Sequence, residues 1–132
     1  MEGSPRIPEG FANVIDVYTF DQILEMDDDK ERSFSRSIVE TFFDQAETTF
    51  GKMDNALAEN DLETLSQLGH FLKGSSASLG LTKVQNACSE IQHLGRLSPN
   101  DPPLDHDGLE ALLKRVRTDY DEIHSLLEAF YN

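Results

Sequence analysis

Only one cysteine occurs among the 132 residues, which excludes an internal disulfide and any zinc site built on cysteine. Basic side chains are also scarce: 11 Lys+Arg stand against 25 Asp+Glu, a formal net charge of −14. Nucleic acids and anionic membranes both select basic patches, so neither is the expected main partner. No apolar run approaches the roughly 18 residues a membrane span needs. The opening MEGSPRIPEG lacks the basic and apolar stretches of a signal peptide. Strand-like alternation is missing throughout, which excludes a sheet. No internal repeat or low-complexity tract is present. The expectation is a soluble, intracellular protein of a reducing compartment, long enough to bury roughly two-thirds of its unfolded surface in one core.

What is present is helical periodicity. The first ten residues carry Gly3, Pro5, Pro8 and Gly10 and read as a loose tail. A short amphipathic segment follows at about Phe20–Met26, with Phe20, Ile23 and Leu24 on one side. Asp27, Asp28 and Asp29 form the one charge run, read as a solvated turn that caps the next helix. A calcium loop would need glycine where Arg32 stands, so it is set aside. A long helix is predicted over about Glu31–Glu59, with Val39, Phe42, Phe43, Ala46, Phe50, Met53 and Leu57 at three- and four-residue steps. Asn60 and Asp61 stop it and cap a third helix, about Leu62–Leu79, with Gly80 at its end. A fourth is predicted over Thr82–Leu97, a proline-rich loop over 98–108, and a fifth over Gly108–Tyr131. In the fifth, Leu109, Leu112, Leu113, Val116, Tyr120, Ile123, Leu127 and Phe130 share a stripe. Four long amphipathic helices with mostly short connections predict an all-α, antiparallel up-down four-helix bundle, with the short first helix outside it across one end.

The third helix carries the chemistry. At about 100° per residue from Leu65, the residues Leu62, Leu68, Leu72, Ser76 and Leu79 fall within about 60° and define the core face. His70 falls at about 140°, on the solvent side, with Lys73, Gly74 and Ala77 following at i+3, i+4 and i+7. A glycine inside an exposed helix costs about 1 kcal/mol relative to alanine. Gly74 is therefore a helix–helix contact, a glycine simply tolerated there, or room for another molecule beside the imidazole. A free imidazole titrates near about 6.5, so much of it is neutral and nucleophilic at cell pH. Such a nitrogen can accept a phosphoryl group, and the ammonium of Lys73 can offset the added charge. On the fourth helix, Gln85, Ser89, Gln92 and Arg96 line one border of a core arc built from Val84, Ala87, Cys88, Ile91, Leu94 and Gly95. This border is either a solvated edge or, if it faces the third helix, a second set of site residues. In that case Gln92 or Ser89 could orient the imidazole.

The run His70-Phe71-Leu72-Lys73-Gly74-Ser75-Ser76-Ala77-Ser78-Leu79-Gly80 resembles the active-site helix of histidine-containing phosphotransfer (HPt) domains, most of all those of fungal osmosensing phosphorelay intermediates. The likeness extends through Glu90–Arg96 and includes Ile23–Asp29 and Phe42–Phe50, so that it covers about Thr19–Arg96. It implies an HPt four-helix bundle over 19–132 after a tail over 1–18. It implies that His70 is phosphorylated through Nε2, that Lys73 stabilises the phosphoryl group, and that Gly74 leaves room for a receiver domain. Gln92 matches the residue that hydrogen-bonds the imidazole and Arg96 a basic residue beside it. Ile23, Met26, Phe34 and Ile38, with Ala77 on the His70 stripe, match an apolar receiver-docking patch. The bare pattern allows Phe34 and Ile38 simply to cover the short helix, and both roles can hold together. The implied partners are the receiver domain of a hybrid histidine kinase and those of response regulators. The implied cofactor set is empty for this chain, with Mg²⁺ on the receiver. The implied location is cytoplasm and nucleus, and the implied state a monomer.

Two other chemistries are weighed. A carboxylate-bridged metal site would use Glu90-Ile91-Gln92-His93 with Asp121-Glu122-Ile123-His124, but His93 projects almost opposite the core arc. Lys73-Gly74-Ser75 is no P-loop, because no glycine-rich turn or strand precedes it. Without a nucleotide site, kinase activity of its own is not expected. The remaining alternative is a docking module of the same fold that transfers nothing.

Overall fold

The computed structural model describes residues 9–94 and 106–131. After a 3₁₀ turn at Glu9–Asn13, five helices follow: α1 (Val17–Leu24), α2 (Ser33–Ala58), α3 (Leu62–Ser78), α4 (Thr82–His93) and α5 (His106–Tyr131). Helix α2 packs on α3, α3 on α4, α4 on α5 and α5 back on α2. This closed ring is the expected antiparallel four-helix bundle. Among the described residues no helix is long and apolar enough to cross a membrane.

Helices α1, α2 and α3 start where a side chain supplies the missing acceptor, whereas α4 follows Leu81 with no side-chain cap. Asp61 accepts from the Thr64 amide and hydroxyl at 3.1 and 2.6 Å and opens α3. The acidic run does the same for α2 from a distance: Asp29 accepts from the Ser33 amide at 2.9 Å and Asp27 from the Ser35 amide at 2.8 Å. Arg32, between them, takes the left-handed conformation at φ 55°. That conformation is costly for a side-chain-bearing residue. It is held by the Arg32 guanidinium, which donates to the Phe130 carbonyl at 2.7 Å and lies 4.1 Å over the Phe130 ring. The two left-handed turns that end α2 and α3 use Asn60 (φ 56°) and Gly80 (φ 75°). A Cβ at Gly80 would sit 2.8 Å from the Asp16 carbonyl, so glycine is required there on two counts.

Several expected boundaries move, among them the start of α5, which opens at His106 inside the segment expected as loop. Helix α1 begins at Val17 rather than Phe20 because Asp16 caps it, accepting from the Thr19 hydroxyl at 2.9 Å. The tail expected over 1–18 ends much earlier, since Phe11, Val14 and Ile15 are buried in the core. These residues and α1 lie across the end of the bundle where α2 and α4 begin and α3 and α5 finish. There the Asp16 amide donates to the Gly80 carbonyl at 2.6 Å, and Phe11 and Phe20 meet the Phe130 ring at 5.6 and 5.9 Å between centroids. At the same end Tyr131 donates to the buried Ser35 hydroxyl at 2.7 Å, which donates to Asp27 at 2.6 Å. The described part of α4 ends at His93, followed by Leu94. The expected extension to Leu97, together with Gly95, Arg96 and the proline-rich loop, lies almost wholly outside the described residues.

Candidate functional site

Helix α3 buries Leu65, Gly69, Leu72 and Ser76 and leaves His70 exposed near its middle, on the face the periodicity assigned to it. The ring is not loose. Gln92, nine-tenths buried on α4, places its amide nitrogen 3.0 Å from His70 Nδ1. The amide oxygen of the same side chain lies 3.4 Å from Lys73 Nζ. Gln92, rather than Ser89, is thus the residue that orients the imidazole. With Nδ1 engaged, Nε2 is the ring nitrogen left for a second molecule. Arg96, the basic residue expected beside the ring, lies outside the described residues.

The approach of α4 that brings Gln92 into reach has a local cause absent from the sequence reading. A Cβ on Gly69 would lie 2.9 Å from the Gln92 backbone nitrogen, 2.9 Å from Ile91 Cγ2 and 3.0 Å from the Cys88 carbonyl. Two of these are backbone atoms that cannot turn aside. Ser66, one turn earlier, donates to the Gln92 carbonyl at 2.5 Å. Gly69 and Ser66 together seat the fourth helix against the third at the level of the imidazole. The signal was available: Gly69 lies only about 40° from the centre of the α3 core face, where a side chain would be expected to pack.

Gly74 has a different environment. A Cβ there meets nothing within 4 Å. Among the described residues this excludes a helix–helix contact and leaves open space above the glycine.

The residues expected to dock a partner separate into two groups. Ile23 and Met26 of the α1 end and Ile38 of α2 line one apolar groove of about 490 Å³, which Ser75 and Ser78 of α3 close on the other side. Met26 is 65% exposed there, an unusual state for a side chain of its size. Phe34 is exposed one turn before Ile38 but is not part of the groove wall. Ala77 is half-buried on the His70 stripe and likewise stands apart from the groove. Around α3 the order is regular. At about 100° per residue, Ser75 and Ser78 fall on one side, Gly74 next, then His70, then Lys73. Gly74 therefore lies between the groove and the imidazole. Phe71, half exposed beside His70, also falls outside the core arc and was not singled out by the sequence reading.

Among the described residues the metal alternative finds no support in geometry. His93 is exposed, Glu90 pairs with Arg115, and His124 pairs with Glu128 at 2.8 Å while lying 4.4 Å from the Phe43 ring.

A closed ring of four helices with a solvent-facing imidazole on the third helix, held by an amide from the next, defines a class of small histidine-bearing bundle proteins. The family model described as "Hpt domain" matches residues 37–127, and the chain belongs to that family. It is 57% identical over 88 residues to multistep phosphorelay regulator 1 of Schizosaccharomyces pombe, covering 67% of this chain and 30% of that protein. It is 50% identical over 84 residues to phosphorelay intermediate protein YPD1 of Candida albicans, covering 64% and 45%. The chain thus spans less than half the length of these two curated relatives. The crystal structure of yeast Ypd1p superposes with a TM-score of 0.77 at 30% identity, over 98% of both chains. A Saccharomyces cerevisiae Ypd1 structure solved with the receiver domain of its downstream response regulator Ssk1 matches with TM-score 0.77 at 31% identity, over 90% of this chain and 95% of that one.

Proposed function

We propose that this chain is a phosphorelay intermediate: His70 accepts a phosphoryl group from the aspartyl phosphate of one receiver domain and passes it to the aspartate of another. The observation that carries the reading is the exposed His70 imidazole fixed at Nδ1 by Gln92, with Lys73 on the same amide and open space over Gly74. Transfer of a phosphoryl group is mainly a matter of in-line positioning and charge stabilisation. Gln92 aims the ring, Lys73 offsets the charge the group brings, and Gly74 admits the receiver backbone. Arg96 is carried into this reading by the resemblance alone, as the further basic residue of the site. The receiver seats on the groove of Ile23, Met26 and Ile38, with Phe34 and Ala77 as further contacts outside it, and the receiver supplies Mg²⁺.

The proposed partners are a hybrid kinase's receiver domain and the receiver domains of response regulators, in line with the relatives' names and with the yeast complex. The chain works as a monomer in cytoplasm and nucleus and has no nucleotide-dependent kinase activity of its own. The test is to charge a fungal receiver domain with labelled phosphate and Mg²⁺, add this protein, and follow the label beside the His70→Gln variant. Acid-labile, base-stable label on the wild type alone is the expected result. Receivers that bind and pass on no label would instead make the chain a docking module.

A further inference from the structure

Gln92 joins two groups whose chemistry decides which way its amide faces. The ammonium of Lys73 has donors only, so the amide atom it meets at 3.4 Å is the oxygen. The amide nitrogen, also a donor only, then faces His70 Nδ1 at 3.0 Å. Nδ1 must therefore accept, and in a neutral ring the hydrogen resides on Nε2. A nitrogen that carries this hydrogen has its lone pair in the ring and cannot attack phosphorus. The arrangement that orients the imidazole also holds it in its unreactive tautomer.

Resting on the phosphotransfer reading above, we propose that Lys73 sets the tautomer of His70 through the Gln92 amide, holding the free chain as a poor acceptor until an anionic phosphoryl group draws the ammonium away. Once released, the amide turns over, and its oxygen accepts from Nδ1–H. The hydrogen has by then exchanged through solvent from Nε2 to Nδ1. The Nε2 lone pair then forms the N–P bond as the P–O bond of the aspartyl phosphate breaks, and that bond's electron pair leaves on the aspartate carboxylate. The product ring carries hydrogen on Nδ1 and the phosphoryl group on Nε2. Loss of the Nδ1 proton to solvent makes it neutral, and Nδ1 again accepts from the amide nitrogen. Onward transfer needs Nδ1 protonated once more, so that imidazole departs as a neutral ring. Lys73 is thus a positioning residue for the tautomer, separate from its charge role at the phosphoryl group.

The test needs no partner and no phosphate. Protein labelled with ¹⁵N in histidine is studied at mildly alkaline pH, where a free imidazole is neutral, and the His70 signals are assigned by their loss in His70→Gln. The wild type is expected to show a pyridine-type Nδ1 and a pyrrole-type Nε2. Lys73→Met, which keeps the chain length without the donor, is expected to shift population toward the Nδ1–H tautomer. Gln92→Glu, which can only accept, is expected to complete that shift. A wild-type His70 with pyrrole-type Nδ1, or a tautomer ratio unmoved by Lys73→Met, overturns the proposal. Because the spectra report the free chain, absence of transfer to any receiver would refute the functional reading and leave this result standing.

Discussion

Two glycines five residues apart on α3 should respond to alanine in opposite ways. Taken alone, replacing a helical glycine by alanine favours the helix by about 0.8–1.0 kcal/mol. At Gly74 nothing within 4 Å opposes that gain. Gly74→Ala should therefore stabilise the protein by nearly the full amount, a rise in Tm of about 4 °C for a domain of this size. At Gly69 the same methyl meets the Gln92 backbone nitrogen at 2.9 Å and the Cys88 carbonyl at 3.0 Å. Ordinary contact begins at 3.4 Å, so α4 must retreat by about 0.5 Å. Overpacking of this kind costs about 1–3 kcal/mol. After the propensity gain, the net loss at Gly69 is about 1 kcal/mol. The retreat also carries Gln92 away from the ring, and a 3.0 Å bond lengthened by about 0.5 Å reaches the limit of hydrogen bonding. Gly69→Ala should accordingly slow transfer although residue 69 touches no partner. Urea unfolding followed by helical circular dichroism measures the stabilities, with unchanged m-values confirming a common unfolded state. A Gly69→Ala protein as stable as the wild type would refute the close-approach argument, and a destabilised Gly74→Ala would refute the open-space one.

Gly74→Gln should keep the fold and impair transfer by crowding the approach from groove to imidazole, read by comparing circular dichroism with label transfer. Ile38→Asp, which puts a charge in the groove, should weaken receiver binding in a titration while leaving the His70–Gln92 pair intact. Burial pushes the Cys88 thiol up to about 12, with the Asp119 charge adding to it. Native protein should thus resist thiol alkylation up to strongly alkaline pH and label only as it unfolds. Because this value is raised, the matching stability is complete below the ordinary thiol value of 9.0 and is lost as pH climbs toward 12. The Thr64 hydroxyl, then its amide, holds the Asp61 carboxyl below its usual 3.8. The sign is opposite there: the contribution is complete above 3.8 and is lost as pH falls through the lowered value. The difference in urea midpoint between wild type and Asp61→Asn should accordingly shrink in acid. Tyr131→Phe removes the bond to Ser35 and should cost about 1 kcal/mol in the same unfolding assay.

The bundle and the position of His70 were legible because long helices announce themselves by period, and an imidazole at about 140° from a leucine stripe has nowhere to go but outward. Gln92 was legible as a border residue, and the resemblance then distinguished it from Ser89. What escaped depends on partners distant along the chain. Composition marked only the first ten residues as a tail and the resemblance began the domain at 19, yet Phe11, Val14 and Ile15 are buried against elements up to 119 residues away. Phe130 was placed on the α5 stripe, but Tyr131 is the more buried of the two because its hydroxyl reaches Ser35. Gly69 went unread because a glycine adds nothing to a hydrophobic count, although its meaning here is the contact it permits. Phe34 shares the docking motif's spacing but sits beyond the groove, since a turn of helix separates it from Ile38.

The clamp at the α1 end of the bundle has a consequence for how the molecule opens. Helix α1 is eight residues long and buries only Phe20 and Leu24, so by itself it would be among the first elements to come away. It is tied instead through the Asp27–Ser35–Tyr131 relay and the Arg32 contact to the last turn of α5. One wall of the groove and the far end of the chain therefore detach together or not at all. In a hydrogen-exchange experiment their amides form a single opening unit, and any molecule seated on Met26 and Ile23 slows exchange at Phe130 and Tyr131, more than a hundred residues along the sequence. Occupancy of the groove is thus readable from the terminal turn of α5.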